Sequence, residues 1–409
     1  MSRARRATRS ETQSCPFGRT VAVTCGVSWG VFWGGLAGLA SLLTLTPSLR
    51  AQSPAGVPVV PRLLIEDART VDWAPKGDWI AYDRPGPGGY SQLHIARPDG
   101  SSERCMTCDI DVLRKHHAAS PAWHPSGKYL VFVVERPVKI QGEPLPFRSV
   151  PGGNMGSDLW AITSDAKVFW NLTNRGESGG RALSPRFSHE GDLLVWTERV
   201  VAGGGAWGQW GLQVAQFNVS RGAPRLRKVR SYRPGAQRLF YEPSSFTPDD
   251  QGLLFAANLD PGQSEAELDL FVLRLESGEI QRLRSSPDLD RSARWTPDGR
   301  QVVWASSKGL RGHRPVFERQ DRDTSTAMDL WIMNADGTDE ERLTRFNDVM
   351  SSEYYGRVMV GAGAWSRDGR QLIVPVVPVG SRSGGGLFVL DMETDGDPES
   401  LRPGSTAGE

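Results

Sequence analysis

Cys105, Cys108, His116 and His117 fall within thirteen residues, with His124 close behind, and no other stretch gathers so many metal- or redox-competent side chains. Thiolate and imidazole ligands at such spacing suit a tetrahedral zinc-type ion, and two cysteines three apart suit a disulfide in an oxidising compartment. Strand geometry weighs on both options. On a regular strand Cys105 and Cys108 point to opposite faces about 10 Å apart, too far for one bridge or one ion unless the chain turns after Thr107. Disulfide, free thiols and metal ligation all stay open on these grounds. Haem attachment through Cys-x-x-Cys-His is excluded, because Asp109 follows Cys108.

Other residues offer weaker chemistry. Gly176-Glu177-Ser178-Gly179-Gly180 matches the hydrolase pattern Gly-x-Ser-x-Gly, but that pattern works on a strand-to-helix turn and Ala182 to Pro185 follow it here, so no catalytic residue is assigned. Asp109, Asp111, Glu242, Asp288 and Asp290 are carboxylates in expected loops that can face a cation or a basic partner, although no stretch has a spaced calcium-loop pattern. Trp207 and Trp210, among Gly203 to Gly205 and Gly208, read either as exposed stacking residues for a peptide or glycan or as edge packing. Tyr354, Tyr355 and Arg357 form a similar group. The candidate binding set is Asp109, Asp111, His116, His117, Trp207, Trp210, Tyr241, Glu242, Asp290, Tyr354, Tyr355 and Arg357, with Cys105 and Cys108 as a candidate disulfide and no metal or cofactor assigned.

These residues hang on a repeat. An aromatic residue, then Pro or a substitute two positions on, then a Gly turn and an apolar run recur as Trp73-Ala74-Pro75-Lys76-Gly77, Trp123-His124-Pro125-Ser126-Gly127 and Trp295-Thr296-Pro297-Asp298-Gly299. Weaker copies begin at Phe187, Phe246 and Trp365, which makes six. Each is followed by a short strand, often led by Asp-Leu-aromatic as in Asp158 to Ile162 or Asp329 to Met333, and then by a polar turn and an Arg-Leu-Thr-like strand such as Arg342 to Thr344. Pro sets φ at the hairpin entry and Gly supplies a positive φ, while runs such as Tyr129 to Val134 are apolar enough to be buried on both faces. A single four-stranded sheet cannot cover two apolar faces, so the repeats are expected to stack radially as an all-β, six-bladed β-propeller of four-stranded antiparallel blades. High Gly and Pro content, 46 and 28 residues of 409, agrees with many short strands and tight turns.

Trp-x-Pro-x-Gly, Asp-Leu-Trp and Ala-Asp-Gly leading to Arg-Leu-Thr together resemble the TolB-type propeller repeat, which the propellers of prolyl-oligopeptidase-like peptidases also resemble. The resemblance covers residues 61–403 and implies a propeller, with the TolB likeness implying a protein-binding role. Two departures stand out: TolB carries an α/β domain ahead of its propeller and the peptidases carry a hydrolase domain, and neither is expected here. Pro61 to Ile65 resembles the Arg-Leu-Thr strand and can supply the outer strand of the last blade, with the segment near Leu401 as competitor, so the sequence leaves open which terminus closes the ring.

At the N-terminus, Arg3, Arg5, Arg6, Arg9 and Arg19 precede an uncharged run from Thr20 to Leu49, and Leu49-Arg50-Ala51 stands before Gln52. This reads as an export signal over 1–51, followed by a short linker over 52–60, with an uncleaved membrane anchor as the alternative. Residues 404–409 are a tail. Without residues 1–51 the chain carries 42 basic against 46 acidic side chains, a poor electrostatic match for nucleic acid. Repeat order places the short Gly turns on one face of the disc and the long connections 109–120, 136–157, 199–210, 228–245, 306–328 and 346–364 on the other, which is the expected working face. The expectation is a periplasmic or secreted monomer that binds a protein or peptide there, without catalysis. A hydrolase or lyase with a metal or acid–base site at the channel mouth and a carbohydrate-binding propeller are the alternatives.

Overall fold

The computed structural model describes residues 61–136, 139–140, 143–144, 156–175, 180–201, 208–235, 240–263, 267–310, 326–380 and 384–392. The N-terminal segment, Ser178, Trp207, the segment near Leu401 and the tail, on which several expectations rest, lie outside them. Among the described residues no helix is long and apolar enough to cross a membrane.

Six four-stranded antiparallel sheets follow one another along the chain. Blade 1 comprises Thr70–Trp73, Ile80–Pro85, Ser91–Ala96 and Arg104–Cys105, and blade 2 comprises His117–Trp123, Tyr129–Arg136, Gly156–Thr163 and Phe169–Asn171. Blades 3, 4 and 5 begin with Arg181–Phe187, Tyr241–Phe246 and Asp290–Trp295. In blade 6 the first strand is broken into Val358–Val360 and Ala364–Trp365, and the outer strand is Arg62–Glu66 from the other end of the propeller. Arg62 pairs with Val389 and Leu63 with Phe388, antiparallel, so the ring closes through the N-terminal strand.

The hydrophobic core is distributed between blades rather than gathered in one place. In the second strand of blade 2, Leu130, Phe132 and Val134 pack toward blade 1, while Val131 and Val133 pack toward blade 3. Blade 4 repeats this, with Leu253 and Phe255 in one cluster and Leu254 and Ala256 in the other. Side chains alternate along a strand, so an unbroken apolar run feeds two interfaces at once.

The Gly turns face one side of the disc, and those at Gly127, Gly191, Gly299 and Gly369 lean on the turn of the preceding blade. A Cβ on Gly191 would lie 2.8 Å from the His124 ring and 2.9 Å from Pro125, and one on Gly299 would lie 2.8 Å from Pro248. Both glycines also have positive φ, 80° and 70°, so shape and backbone conformation agree on the residue. Blade 4 has Asp250 at this position with φ 54°. Its carboxylate accepts hydrogen bonds from the backbone N–H groups of His189 and Glu190 at 3.0 and 3.1 Å, latching blade 4 to blade 3.

Candidate functional site

The first strand of every blade lines a central cavity of about 210 Å³, with Arg69, Ser120, Arg186, Glu242, Arg291 and Met359 contributed by blades 1 to 6 in turn. These strands are therefore innermost. They are irregular where they meet the cavity: pairing slips between Ala119 and Ala122, Leu183 and Arg186, Pro243 and Ser245, and Arg291 and Arg294. Ser120, Ser184 and Ser292 sit within three of these bulges with φ of 53°, 54° and 56°. A bulge re-aims the following side chains, and left-handed backbone at a non-glycine residue is retained where the surroundings demand it.

Position within the repeat sorts the channel charges into two rows. Four residues before the aromatic anchor stand Arg69 in blade 1, Glu242 in blade 4 and Arg291 in blade 5. One residue before it stand Asp72, Arg186 and Arg294 in blades 1, 3 and 5, where blades 2 and 6 have Ala122 and Ala364. The first row is largely paired: Arg291 forms an ion pair with Glu242, whose Oε1 also accepts the Ser292 hydroxyl at 2.9 Å. In the second row Asp72 accepts the Trp123 backbone N–H at 2.6 Å. Arg186 donates to the Pro185 carbonyl at 2.8 Å, and Arg294 Nε donates to the Gly363 carbonyl at 3.1 Å. Arg186 Nε and Arg294 Nη2 are buried and have no hydrogen-bond partner among the described residues.

Electrostatics makes the same point. Burial, and then the neighbouring Arg186 guanidinium, pull Arg294 well below the usual arginine range, with Asp72 and Glu242 opposing. Burial likewise lowers Arg186 and raises Asp72. A guanidinium keeps its proton in a protein regardless, so this row offers fixed cationic donors suited to holding a carboxylate, sulfate or phosphate. Nearby, burial raises Asp83 to about 6 despite a hydrogen bond from Thr70 and the Arg69 charge. Burial, followed by Arg69 and His116, lowers His117 to about 4.

The residues singled out in the sequence are scattered. Cys105 and Cys108 form a disulfide with Cα atoms 5.8 Å apart, because the strand ends at Cys105 and the chain turns immediately after it. His117 is buried and its Nδ1 accepts the Ser91 backbone N–H at 2.9 Å, while His116 is half-buried, and neither joins the cysteines in a cluster. Asp109 and Asp111 are exposed, the latter 3.2 Å from Arg114. Trp210 is buried and meets Phe240 edge to face at 5.5 Å, which is edge packing. Tyr241 is buried and donates to the Pro234 carbonyl at 2.6 Å. Asp290 is fully buried against Arg284, Ser286 and Trp304, and it braces the blade rather than ringing the channel mouth. Tyr354, Tyr355 and Arg357 are exposed, with the Tyr355 ring 4.9 Å from Phe388. Of the whole set, Glu242 reaches the channel cavity. Arg186 and Arg294 were missed, although a charged residue immediately before an aromatic anchor, in register with Ala122 and Ala364, was a readable signal.

No family model matches the chain, and no curated protein matches it. Solved structures do match. TolB from Acinetobacter baumannii is 14% identical over 82% of this chain and 65% of its own, less than two thirds of its length, with a TM-score of 0.44. A putative TolB from Agrobacterium tumefaciens is 14% identical over 80% of this chain and 91% of its own, at 0.47. Oligogalacturonate lyase from Vibrio parahaemolyticus is 9% identical over 84% and 92%, at 0.44. The chain is similar to these proteins in fold, the TolB-like six-bladed propeller.

Proposed function

We propose that this chain is an exported, non-catalytic propeller that binds a protein or peptide through its long-loop face and takes an anionic group of that partner, a carboxylate in the first instance, between Arg186 and Arg294. The observation that carries this reading is the pair of half-buried arginines in the innermost strands, each with one buried nitrogen, Arg186 Nε and Arg294 Nη2, that has no partner among the described residues. Asp72 and Glu242 offset part of the cost of these desolvated cations, and a bound anion paired to the donors left over offsets more of it. Thr70, Glu242 and Arg291 stand at or next to the start of their strands, at the inter-blade-loop end of the cavity, whereas Arg186, which also lines it, and Arg294 stand near the ends of theirs, so the partner's anionic group reaches inward from the loop face to meet them.

A macromolecular partner, rather than a free small anion, is supported by those loops. Val349, Met350, Tyr354 and Tyr355 are 69%, 89%, 49% and 43% exposed on the connection between blades 5 and 6. Large apolar groups exposed together on one connection are the usual composition of a protein-binding surface. Export is supported by the basic and then uncharged N-terminal sequence and by the disulfide. The test is calorimetric titration of an oligoglutamate peptide, with oligolysine as control. Oligoglutamate binding that weakens about tenfold or more in Arg186→Met/Arg294→Met is expected. Equal binding by both proteins would overturn the reading.

A further inference from the structure

Strand pairing in blade 1 brings together three ligands that lie apart in the sequence. His94 and Cys105 are register partners on adjacent strands, and the turn after Cys105 returns Cys108 to the same place. One ring nitrogen of His94 and the two sulfurs all lie within 4.8 Å of one another. His94 Nδ1 is 3.0 Å from Glu103 Oε1, and Nε2 is buried without a hydrogen-bond partner. Glu103 is held in turn by the Tyr82 hydroxyl at 2.7 Å and by Arg84 at 3.1 Å. Carboxylate to imidazole Nδ1, with Nε2 left for an ion, is the usual outer support of a zinc-binding histidine.

We propose that, with the disulfide reduced, His94, Cys105 and Cys108 form a binding site for a thiolate-preferring divalent cation, zinc above all. Tetrahedral zinc needs ligand atoms about 3.5–4 Å apart, which the separated sulfurs and the imidazole can meet with small movements. Thr107 offers no fourth ligand, because its hydroxyl is committed to Gln92 and the Leu93 backbone N–H. Both cysteines are half-buried, so water reaches the fourth position. That makes a Cys2His site with one exchangeable coordination place.

The two states exclude each other by chemistry. An external dithiol transfers two electrons and two protons to the Cys105–Cys108 bond and leaves as its own disulfide; the ion then displaces the two thiol protons to solvent. Reoxidation expels the ion. Blade 1 accordingly holds either a covalent staple or a metal, according to the redox state around it. The site is independent of the channel arginines, so either assignment can fail alone.

Cobalt(II) titration of the full chain reads the site directly. Reduced protein is expected to bind one cobalt per chain, with the intense visible bands of tetrahedral coordination and a near-ultraviolet thiolate band, both abolished by zinc; the disulfide form gives neither. His94→Phe keeps a ring against Tyr82, which stacks on His94 at 5.8 Å, and removes the nitrogen, so the tetrahedral bands are lost while the thiols remain titratable. Glu103→Gln leaves all three ligands and weakens affinity about tenfold or more. Cobalt bands that persist unchanged in His94→Phe, or an absence of bands in reduced wild-type protein, would overturn the proposal.

Discussion

Arginines drawn into the interior occur in two settings in this propeller, buried Arg284 and half-buried Arg186 and Arg294, and they are treated in opposite ways. Between the blades, Arg284 reaches Asp290, the Ser286 hydroxyl at 2.6 Å and Glu340 at 2.9 Å; Asp290 also accepts the Trp304 indole N–H, and Glu340 takes Lys308 at 2.6 Å. Every charge there has an opposite neighbour. In the channel, Arg186 and Arg294 hydrogen-bond to backbone carbonyls and feel each other's charge, with Asp72 and Glu242 near enough to oppose it in part, and each keeps a nitrogen without a partner among the described residues. The difference teaches that burial of charge alone does not mark a site. Burial with donors left over does, because a fold gains nothing by leaving them unpaired.

The comparison breaks most sharply on truncation. Arg284→Ala strands Asp290 and is expected to lower unfolding free energy by about 3–5 kcal/mol, whereas Arg294→Met removes an unsatisfied charge and leaves stability unchanged or raises it by up to about 3 kcal/mol. Urea midpoints of the two variants check this. A comparable loss in Arg294→Met would mean that the channel arginine is structural after all.

A smaller effect sharpens the contrast between groups that can shed a proton and groups that cannot. His117 is lowered to about 4, so the unfolded chain binds a proton below its ordinary value near 6.5 that the folded chain refuses, and stability falls as pH drops from about 6.5 to 4. Asp83 is raised to about 6, so the folded chain keeps a proton the unfolded one releases, and stability falls as pH rises from about 4 to 6. Each contributes at most about 3 kcal/mol, in opposite directions. Between pH 4 and 6 wild-type stability is therefore flatter than that of either variant: Asp83→Asn loses stability toward acid and His117→Asn loses it toward neutrality. Superimposable profiles for all three proteins would show that neither group is linked to folding.

The smallest effect lies on the turn face. Arg274 and Asp249 form an exposed pair at 3.0 Å, and Arg274→Ala is expected to change stability by less than about 1 kcal/mol. A melt that shifts as far as that of Arg284→Ala would erase the distinction between surface and buried pairs.

Much of the architecture could be read from residues. Trp73, Trp123 and Trp295 with their Pro and Gly partners announced blades, whereas Pro61 to Ile65 was one of two candidates for closing the ring, and the pairing of Arg62 with Val389 decided for it. The candidate site was far less legible. Trp210 read either as a stacking residue or as edge packing, and its burial against Phe240 decides for packing, because loop composition does not say which way a ring turns. Histidines near the cysteines in sequence, His116 and His117, drew the attention that belonged to His94.

The sequence by itself determined the repeat: local turn chemistry and period-two apolar runs depend only on neighbours along the chain, and six copies of one pattern leave few architectures to choose from. Tertiary structure decided the sites. Arg186 and Arg294 are 108 residues apart in number, and only ring closure points both at one axis. His94 meets Cys105 only because antiparallel pairing sets that register. Contacts between blades and between strands are set by packing across long separations, and no window along the chain contains them.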